Sequence, residues 1–378
     1  MHIILLNSEY PPVGGGAGNA SANLARKIVQ FGHEVTVLTS RFGSLQNEEV
    51  NEGVRIVRIP ALRRKPDRSG ALEQTVFMLV AFIWSVRLLR KINPDVILAF
   101  FGIPSGVVSL GLKTIFGIPY LVSLRGGDVP GFRPYDFALY HRLAGPLLHV
   151  VWRKAAAVIA NSDGLRGLAQ AFDKKVPIQV IPNGVSTARY ATKGRPWEPA
   201  QLLIVGRVVY QKGIDLLLEA LAGIDQLEWD LSIAGDGPLR EALEEKARSL
   251  GIANRIKFLG WQTKTALVEC YRKANLFVYP SRHEGMPNVV LEAMASGLPV
   301  IASEIAGNEE LVLPGETGLL VPVENIEKLR AAIRELVLDP QRREIMGAAA
   351  QKRVEEQYTW ASTAQQYLEL LSAALEKN

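Results

Sequence analysis

Strand-like and helix-like runs alternate along this chain, and the alternation happens twice. Short apolar runs fall at Ile3–Asn7, Glu34–Thr39, Val54–Ile59, Val96–Ala99, Tyr120–Ser123, Val158–Ala160 and Gln179–Ile181. A longer amphipathic stretch, Ala20–Phe31, separates the first two, and Gly32 closes it as a helix C-cap. After a break the strand-like runs resume at Leu202–Val205, Asp230–Ala234, Lys257–Leu259, Leu276–Val278 and Pro299–Ala302. Helical stretches near Gly213–Ala222, Pro238–Leu250, Thr265–Ala274 and Pro287–Ser296 separate them. Such alternation predicts parallel sheets wrapped by helices, an α/β class. Residues 191–200 have two prolines, a glycine and no period, so they read as a linker. The chain therefore divides into doubly wound domains at 1–190 and 201–360. Ligands of open parallel sheets bind beyond the C-terminal ends of the strands. Two such edges facing a central cleft would take two substrates.

Composition narrows the class. At 48% hydrophobic and 21% charged residues the chain is globular. A single cysteine, Cys270, excludes a disulfide framework and a cysteine-only metal site, and is compatible with a reducing compartment. The first residues lack the pattern of a signal peptide. The longest apolar run, Val76–Trp84, has nine residues, where a membrane span needs about twenty. The expectation is a soluble, cytoplasmic protein, held at most to the inner face of the plasma membrane.

Charge is uneven. Residues 1–190 carry 22 Lys/Arg against 12 Asp/Glu, and residues 191–378 carry 21 against 26. The basic half suits an anionic acceptor or an anionic membrane face, or is a scattered solvated surface. Its densest cluster, Leu62–Arg68, precedes the Val76–Trp84 run; the pair reads either as a lipid contact or as a basic loop before a core-packing helix. Nucleic acid is the least favoured partner, because clustered cations with aromatics on one element are missing.

Glycines mark the strand ends. Gly14-Gly15-Gly16-Ala17-Gly18 follows the first strand, but no window fits the dinucleotide fingerprint, and the second strand ends without an acid. The phosphate-loop pattern Gly-x-x-x-x-Gly-Lys-Ser/Thr is absent too. What remains is a loop whose backbone amides can approach a phosphate. The second half opens similarly, with Gly206-Arg207 and Lys212-Gly213 around a strand-to-helix turn. Two cations at a helix N-terminus are unfavourable alone, and a bound diphosphate would resolve the conflict. Farther on, Glu284 precedes a helix expected to start near Pro287, and Glu292 lies inside it with seven residues between. Asn288 and Glu292 share a helix face one turn apart. Amides of Gly285, Met286 and Asn288 could hold phosphate, while a carboxylate reads a ribose diol.

These motifs together resemble the retaining family 4 glycosyltransferases, the glycosyl transferases group 1, of GT-B fold with two Rossmann-like domains. The resemblance rests on Glu284 and Glu292 in Pro-Ser-x-x-Glu-Gly-x-x-x-x-x-x-Glu-Ala-Met-Ala-x-Gly-x-Pro-Val. It rests also on Gly206-Arg207…Lys212-Gly213, Gly235-Asp236-Gly237-Pro238, Ile181-Pro182-Asn183-Gly184-Val185 and the Gly14–Gly16 loop. It runs through the whole chain, down to Tyr358-Thr359-Trp360 before a last helix, about 361–378, that would pack back on the first domain. The resemblance implies a nucleotide-diphosphate sugar as donor, bound mainly by the second domain. Arg207 and Lys212 would contact the diphosphate, Glu292 the ribose and Glu284 the donor sugar. Gly206, Gly235 and the segment Gly285, Met286, Pro287, Asn288 and Val289 would line the donor, and Gly15 and Gly16 would close over the phosphates. It implies front-face transfer of a hexose with retention, the leaving phosphate taking the acceptor proton, to a glycan, lipid-linked or small-molecule acceptor in polysaccharide or cell-envelope synthesis. No Asp-x-Asp occurs, so neither a metal nor another cofactor is expected.

One segment departs from the family. Where it often carries a His followed by Gly and Asp, this chain has Arg125-Gly126-Gly127-Asp128. A guanidinium cannot serve as general base at neutral pH. Arg125, with Gly126 beside it, would bind an anionic or hydroxyl-rich acceptor or steady phosphate, and Asp128 would orient the acceptor hydroxyl or the donor sugar; a local ion pair between Arg125 and Asp128 is the structural alternative. The competing functions are a sugar-nucleotide epimerase and a catalytically inactive binding protein on the same fold.

Overall fold

In a computed structural model, residues 1–65, 69–132, 134–190 and 199–376 are described. The chain forms two compact units. The first comprises Met1–Asn183 with the last helix, Trp360–Glu376, and the second comprises Gly184–Thr359.

The sheet of the first unit has eight strands, in the spatial order Glu48–Asn51, Val54–Pro60, Glu34–Arg41, His2–Leu6, Val96–Phe100, Tyr120–Ser123, Ala157–Ala160 and Ile178–Val180. All neighbours run parallel except the first pair. The strands read as continuous apolar runs because both sheet faces are covered. Side chains alternate along a strand, so Ile3 and Leu5 enter one core while Ile4 and Leu6 enter the other. The first core is closed by helices Gly16–Gln30 and Trp360–Glu376, the latter through Trp360, Ala364, Tyr367, Leu368 and Leu371. The second is closed by helices Ala71–Leu89, Val107–Phe116, Pro134–Lys154 and Asp163–Phe172.

The second unit has a six-stranded, all-parallel sheet in the order Ile256–Gly260, Trp229–Ala234, Ala200–Val205, Leu276–Tyr279, Val300–Ser303 and Gly318–Val321. Its strands and helices share one large core. Both units are thus Rossmann-like.

Several boundaries differ from the expected ones. The units part between Asn183 and Gly184, not at residue 190. Val185 pairs with Thr359 and accepts no place in the first core, while Tyr190 is buried in the second. The expected linker falls on residues 191–198, outside the described residues; Ala200 already opens a strand. The first long helix starts at Gly16, not Ala20, so the glycine loop supplies its first turn. Two strands went unread. Glu48–Asn51 is an exposed, acidic edge strand with no apolar signal, and Gly318–Val321 is only four residues long. The run at Val76–Trp84 is part of a 19-residue helix, Ala71–Leu89, long and apolar enough by composition to cross a membrane. Its Phe77, Ala81, Ser85 and Leu88 are buried against the sheet.

Candidate functional site

The loops after the second unit's central strands crowd together, and glycines permit it. Gly235 has φ +150°, and a Cβ there would lie 1.8 Å from the carbonyl oxygen of Gly206. Gly213, with φ +63°, caps helix Ile214–Ala222, and its Cβ would fall 2.0 Å from the Pro280 carbonyl oxygen. Glycine is required at both positions by the protein's own chain, before any ligand is considered.

That crowding brings Lys212 and Glu284 together across 72 residues of sequence. Lys212 lies in the short 3₁₀ turn Tyr210–Lys212, and Glu284 in the loop after strand Leu276–Tyr279. The Lys212 ammonium donates to Glu284 Oε1 at 2.6 Å and to the Tyr279 hydroxyl at 2.5 Å. Glu284 Oε1 also accepts from Ser281 Oγ at 2.7 Å, the Tyr279 hydroxyl at 2.9 Å and Gln211 Nε2 at 3.4 Å. Burial, then the neighbouring Glu284 charge, pushes the Tyr279 hydroxyl far above its ordinary value, so it stays a donor. This changes the electrostatic argument made from sequence. Lys212 is not a bare cation at a helix N-terminus, because Glu284 already compensates it. The unmatched cation is Arg207, half-buried after strand Ala200–Val205. It makes no ion pair or side-chain hydrogen bond among the described residues, and its charge is felt at Tyr279.

Glu292 sits in helix Asn288–Ala295 in different surroundings. Tyr271 donates to its Oε2 at 3.0 Å, and the Tyr190 hydroxyl bonds the same carboxylate. The two rings meet edge to face, 5.6 Å apart. Burial raises the Glu292 carboxyl above its ordinary value, and the tyrosine bonds pull it back in part. Pro287 occupies the N-cap position, not the first helical turn; Met286 before it is buried, and the Val289 carbonyl takes the second Tyr271 bond at 3.2 Å. Gly285 to Val289 therefore lead directly into a helix N-terminus, as expected. Tyr190, Tyr271, Tyr279, Ser281 and Gln211 were missed from sequence. Tyr279, Ser281 and Gln211 stand in or beside the motifs, but nothing in local spacing ties Gln211, Tyr190 or Tyr271 to a carboxylate. Arg282 was also missed. It forms a bidentate pair with Asp215 at 2.8 and 3.0 Å, bonds Glu324 at 2.6 Å and covers the Tyr210 ring at 3.8 Å, which braces the turn carrying Lys212.

The candidates of the first unit are arranged otherwise. Gly15 caps helix Gly16–Gln30, and its N–H donates to Glu9 Oε2 at 3.3 Å, so a carboxylate of the chain already meets this amide. Arg125 and Asp128 do not form the ion pair considered above. Asp128, 2% exposed, accepts the backbone N–H groups of Arg125 at 2.9 Å and Gly102 at 2.7 Å. Burial raises its carboxyl pKa despite these bonds. Its surroundings make it the brace of the turn, whose Gly126 takes φ +111°. Arg125 donates to Asn183 Oδ1 at 2.7 Å and the Tyr367 hydroxyl at 3.2 Å, and lies 4.2 Å over the Phe100 ring. It ties the sheet edge to the last residue of the first segment and to the final helix.

Two family models match the chain. "Glycosyl transferases group 1" covers residues 190–353, and "Glycosyl transferase 4-like domain" covers residues 15–184. The chain belongs to the group 1 glycosyltransferases. Its motifs at Gly206–Gly213 and Glu284–Glu292 fall inside the first of these matches. Among relatives, the enzyme named glycogen synthase from Mycobacterium tuberculosis is 27% identical over 97% of this chain and 94% of its own. A GDP-mannose-dependent alpha-(1-6)-phosphatidylinositol monomannoside mannosyltransferase from Mycolicibacterium smegmatis is 28% identical over 99% of each chain. The solved structure of sucrose-phosphate synthase from Thermosynechococcus elongatus superposes with a TM-score of 0.88, at 24% identity and with both chains fully covered. The fold is GT-B, and this glycosyltransferase uses nucleotide-sugar donors.

Proposed function

We propose that this glycosyltransferase moves a hexose from a nucleotide-diphosphate sugar to a glycan, lipid-linked or small-molecule acceptor, with retention of configuration and without a metal. The observation that carries the reading is the grouping of Arg207, Lys212 and Glu284 on loops beyond the strands of one unit, with Glu292 one helix onset away. Arg207, the cation without a carboxylate partner, receives the diphosphate, and Lys212 joins it. Two fixed cations offset the charge that grows on a departing diphosphate, the effect that dominates such reactions. Glu292, held by two tyrosines, accepts hydrogen bonds from the ribose diol. Glu284, clamped by Ser281 and Tyr279, takes a hydroxyl of the donor sugar. In the transfer the bond between sugar C1 and the phosphate oxygen breaks, and the acceptor oxygen bonds C1 on the same face. The acceptor proton passes to the leaving phosphate oxygen.

Support for the acceptor class is coarser, resting on relatives whose names include a phosphatidylinositol mannoside and a glucan. The test supplies UDP-glucose, ADP-glucose or GDP-mannose to the full chain with a panel of glycan and lipid-linked acceptors, with and without EDTA. Product with the donor's anomeric configuration by NMR, formed equally in EDTA, is expected. An inverted anomer, or turnover abolished by EDTA and restored by magnesium, overturns the mechanism.

A further inference from the structure

Large apolar side chains are exposed in stripes on one face of the first unit. Helices Ala71–Leu89, Val107–Phe116 and Pro134–Lys154 lie side by side over the same sheet face, each packed against the next. Their inner residues are buried, but their outer ones are apolar as well. Helix Pro134–Lys154 exposes Leu139, Leu143, Leu147 and Val150, at spacings of four, four and three, which places them on one line along the helix. Leu143 is 75% exposed. Helix Ala71–Leu89 exposes Leu72, Leu79 and Ile83 along its own line, and Ile115 and Phe116 are exposed at the end of the helix between them. An ordinary surface helix turns polar residues outward. Large apolar side chains left exposed along packed helices in this number point to an interaction surface.

Charge decides the occupant. The same helices and their ends carry Arg87, Arg90, Lys91, Lys113, Arg142, Arg153 and Lys154, against Glu73 and Asp136. Glu73 is already engaged by the backbone amides of Gly70 and Arg64, and Arg153 by Asp173. A second copy of the chain would press like charges together. An anionic lipid surface satisfies both features, with leucines entering the acyl boundary and cations meeting headgroups. The cluster at Leu62–Arg68, which the sequence left open between a lipid contact and a basic loop, is engaged in part by the chain itself. Arg63 is buried and donates to the Ser8 and Lys65 carbonyls, and residues 66–68 lie outside the described residues.

We propose that this three-helix face docks the enzyme on anionic bilayers. The inference is independent of the donor-site reading, which concerns the other unit. The test is co-sedimentation of the full chain with vesicles of phosphatidylcholine alone or with about 30 mol% phosphatidylglycerol, chosen to supply an anionic surface potential. The expected result is sedimentation with the mixed vesicles only, weakened by salt. The double variant Leu143→Glu/Leu147→Glu should reduce the bound fraction about tenfold, since each change puts a charge where an apolar contact was. Leu79→Glu on the neighbouring helix should act in the same direction. All three positions are exposed, so the fold is retained, and melting shifts by nucleoside diphosphates, measured on the same samples, should match wild type. The proposal is overturned if wild type stays in the supernatant with anionic vesicles, or if the double variant sediments as wild type does. It also falls to a self-associating wild type that the double variant renders monomeric while vesicles bind neither; the occupant would then be a second copy.

Discussion

Each unit places an Arg or Lys and a carboxylate on loops beyond its parallel strands, yet the two sets are opposites in use. In the second unit Lys212 and Glu284, far apart in sequence, meet at 2.6 Å, and Arg207 has no acid partner among the described residues. In the first unit Arg125 and Asp128, three residues apart, feel each other's charge but form no ion pair with each other. Asp128 holds two backbone amides, and Arg125 holds an amide side chain, a phenol and an aromatic face. A cation tied into neutral partners is a fastening; a cation left over beside a compensated pair is a binding group. On this comparison the anion binding proposed above rests on the second unit, while Arg125 is engaged within the first unit's own fold.

The sharpest way to break this comparison is to remove Lys212. Lys212→Ala takes away a charge from the diphosphate site and leaves Glu284 with only neutral donors. Turnover should fall by about 10²–10³-fold, the scale seen when one fixed stabiliser of a developing oxyanion is deleted. The double variant Lys212→Ala/Glu284→Ala should fall by clearly less than the product of the singles, because the two groups share one network. Steady-state kinetics on the four proteins reads this directly. Strict multiplicativity would mean that the pair is not a unit.

Glu292→Ala should come next. It deletes the carboxylate expected to read the ribose and should remove most of the melting-temperature increase that a nucleoside diphosphate gives wild type. Its pH dependence is distinctive. Burial raises the folded-state pKa of Glu292 above its ordinary 4.5, so ionising it costs more in the folded protein than in the unfolded one. Its contribution to stability is thus fully present below 4.5 and is lost as pH rises through the elevated folded value. Nucleotide binding runs the other way, since a diol needs the ionised acceptor. Free-protein melting of Glu292→Gln compared with wild type should show the variant gaining relative stability as pH rises. Parallel profiles would mean that the carboxyl is not held at an elevated pKa.

Arg125→Met tests the opposite half of the comparison. Asn183 and Tyr367 each lose one hydrogen bond, Tyr367 keeping the one with Ser123, which costs about 1 kcal/mol per bond. Denaturant unfolding should show this loss, while nucleotide binding stays unchanged. Loss of turnover with full stability would instead make Arg125 a substrate contact.

How far these roles were legible follows from the range of the signals. Strands such as His2–Leu6 were readable because both their faces are buried, so Ile3 to Leu6 are all apolar. Glu48–Asn51 was not, because an edge strand takes its place from pairing with Val54–Pro60. Among site residues, Glu284 and Glu292 were visible as a spaced pair beside a glycine, and Arg207 and Lys212 as charges at a turn. That Lys212 answers Glu284 was invisible, since the contact depends on how two loops approach each other. Arg125 and Asp128 misled for the converse reason: proximity in sequence suggested a pair, and the turn directs their side chains apart.

The smallest predicted effect probes what sequence could not supply. Tyr271 shares its single hydroxyl proton between Glu292 Oε2 and the Val289 carbonyl, so it holds the carboxylate against the start of its own helix. Tyr271→Phe keeps the ring and its edge-to-face contact with Tyr190 and removes only the donor. One hydrogen bond to a carboxylate is worth about 1.5–3 kcal/mol, but Tyr190 remains to share the load, so nucleotide affinity should weaken by roughly three- to tenfold at neutral pH. The lost bond is one that lowers the Glu292 pKa, so the variant's carboxyl should titrate higher still. Affinity measured by calorimetry should then recover toward wild type as pH is raised. A loss that is the same at every pH would show that Tyr271 only shapes the pocket; recovery with pH is the signature of a residue that acts through Glu292.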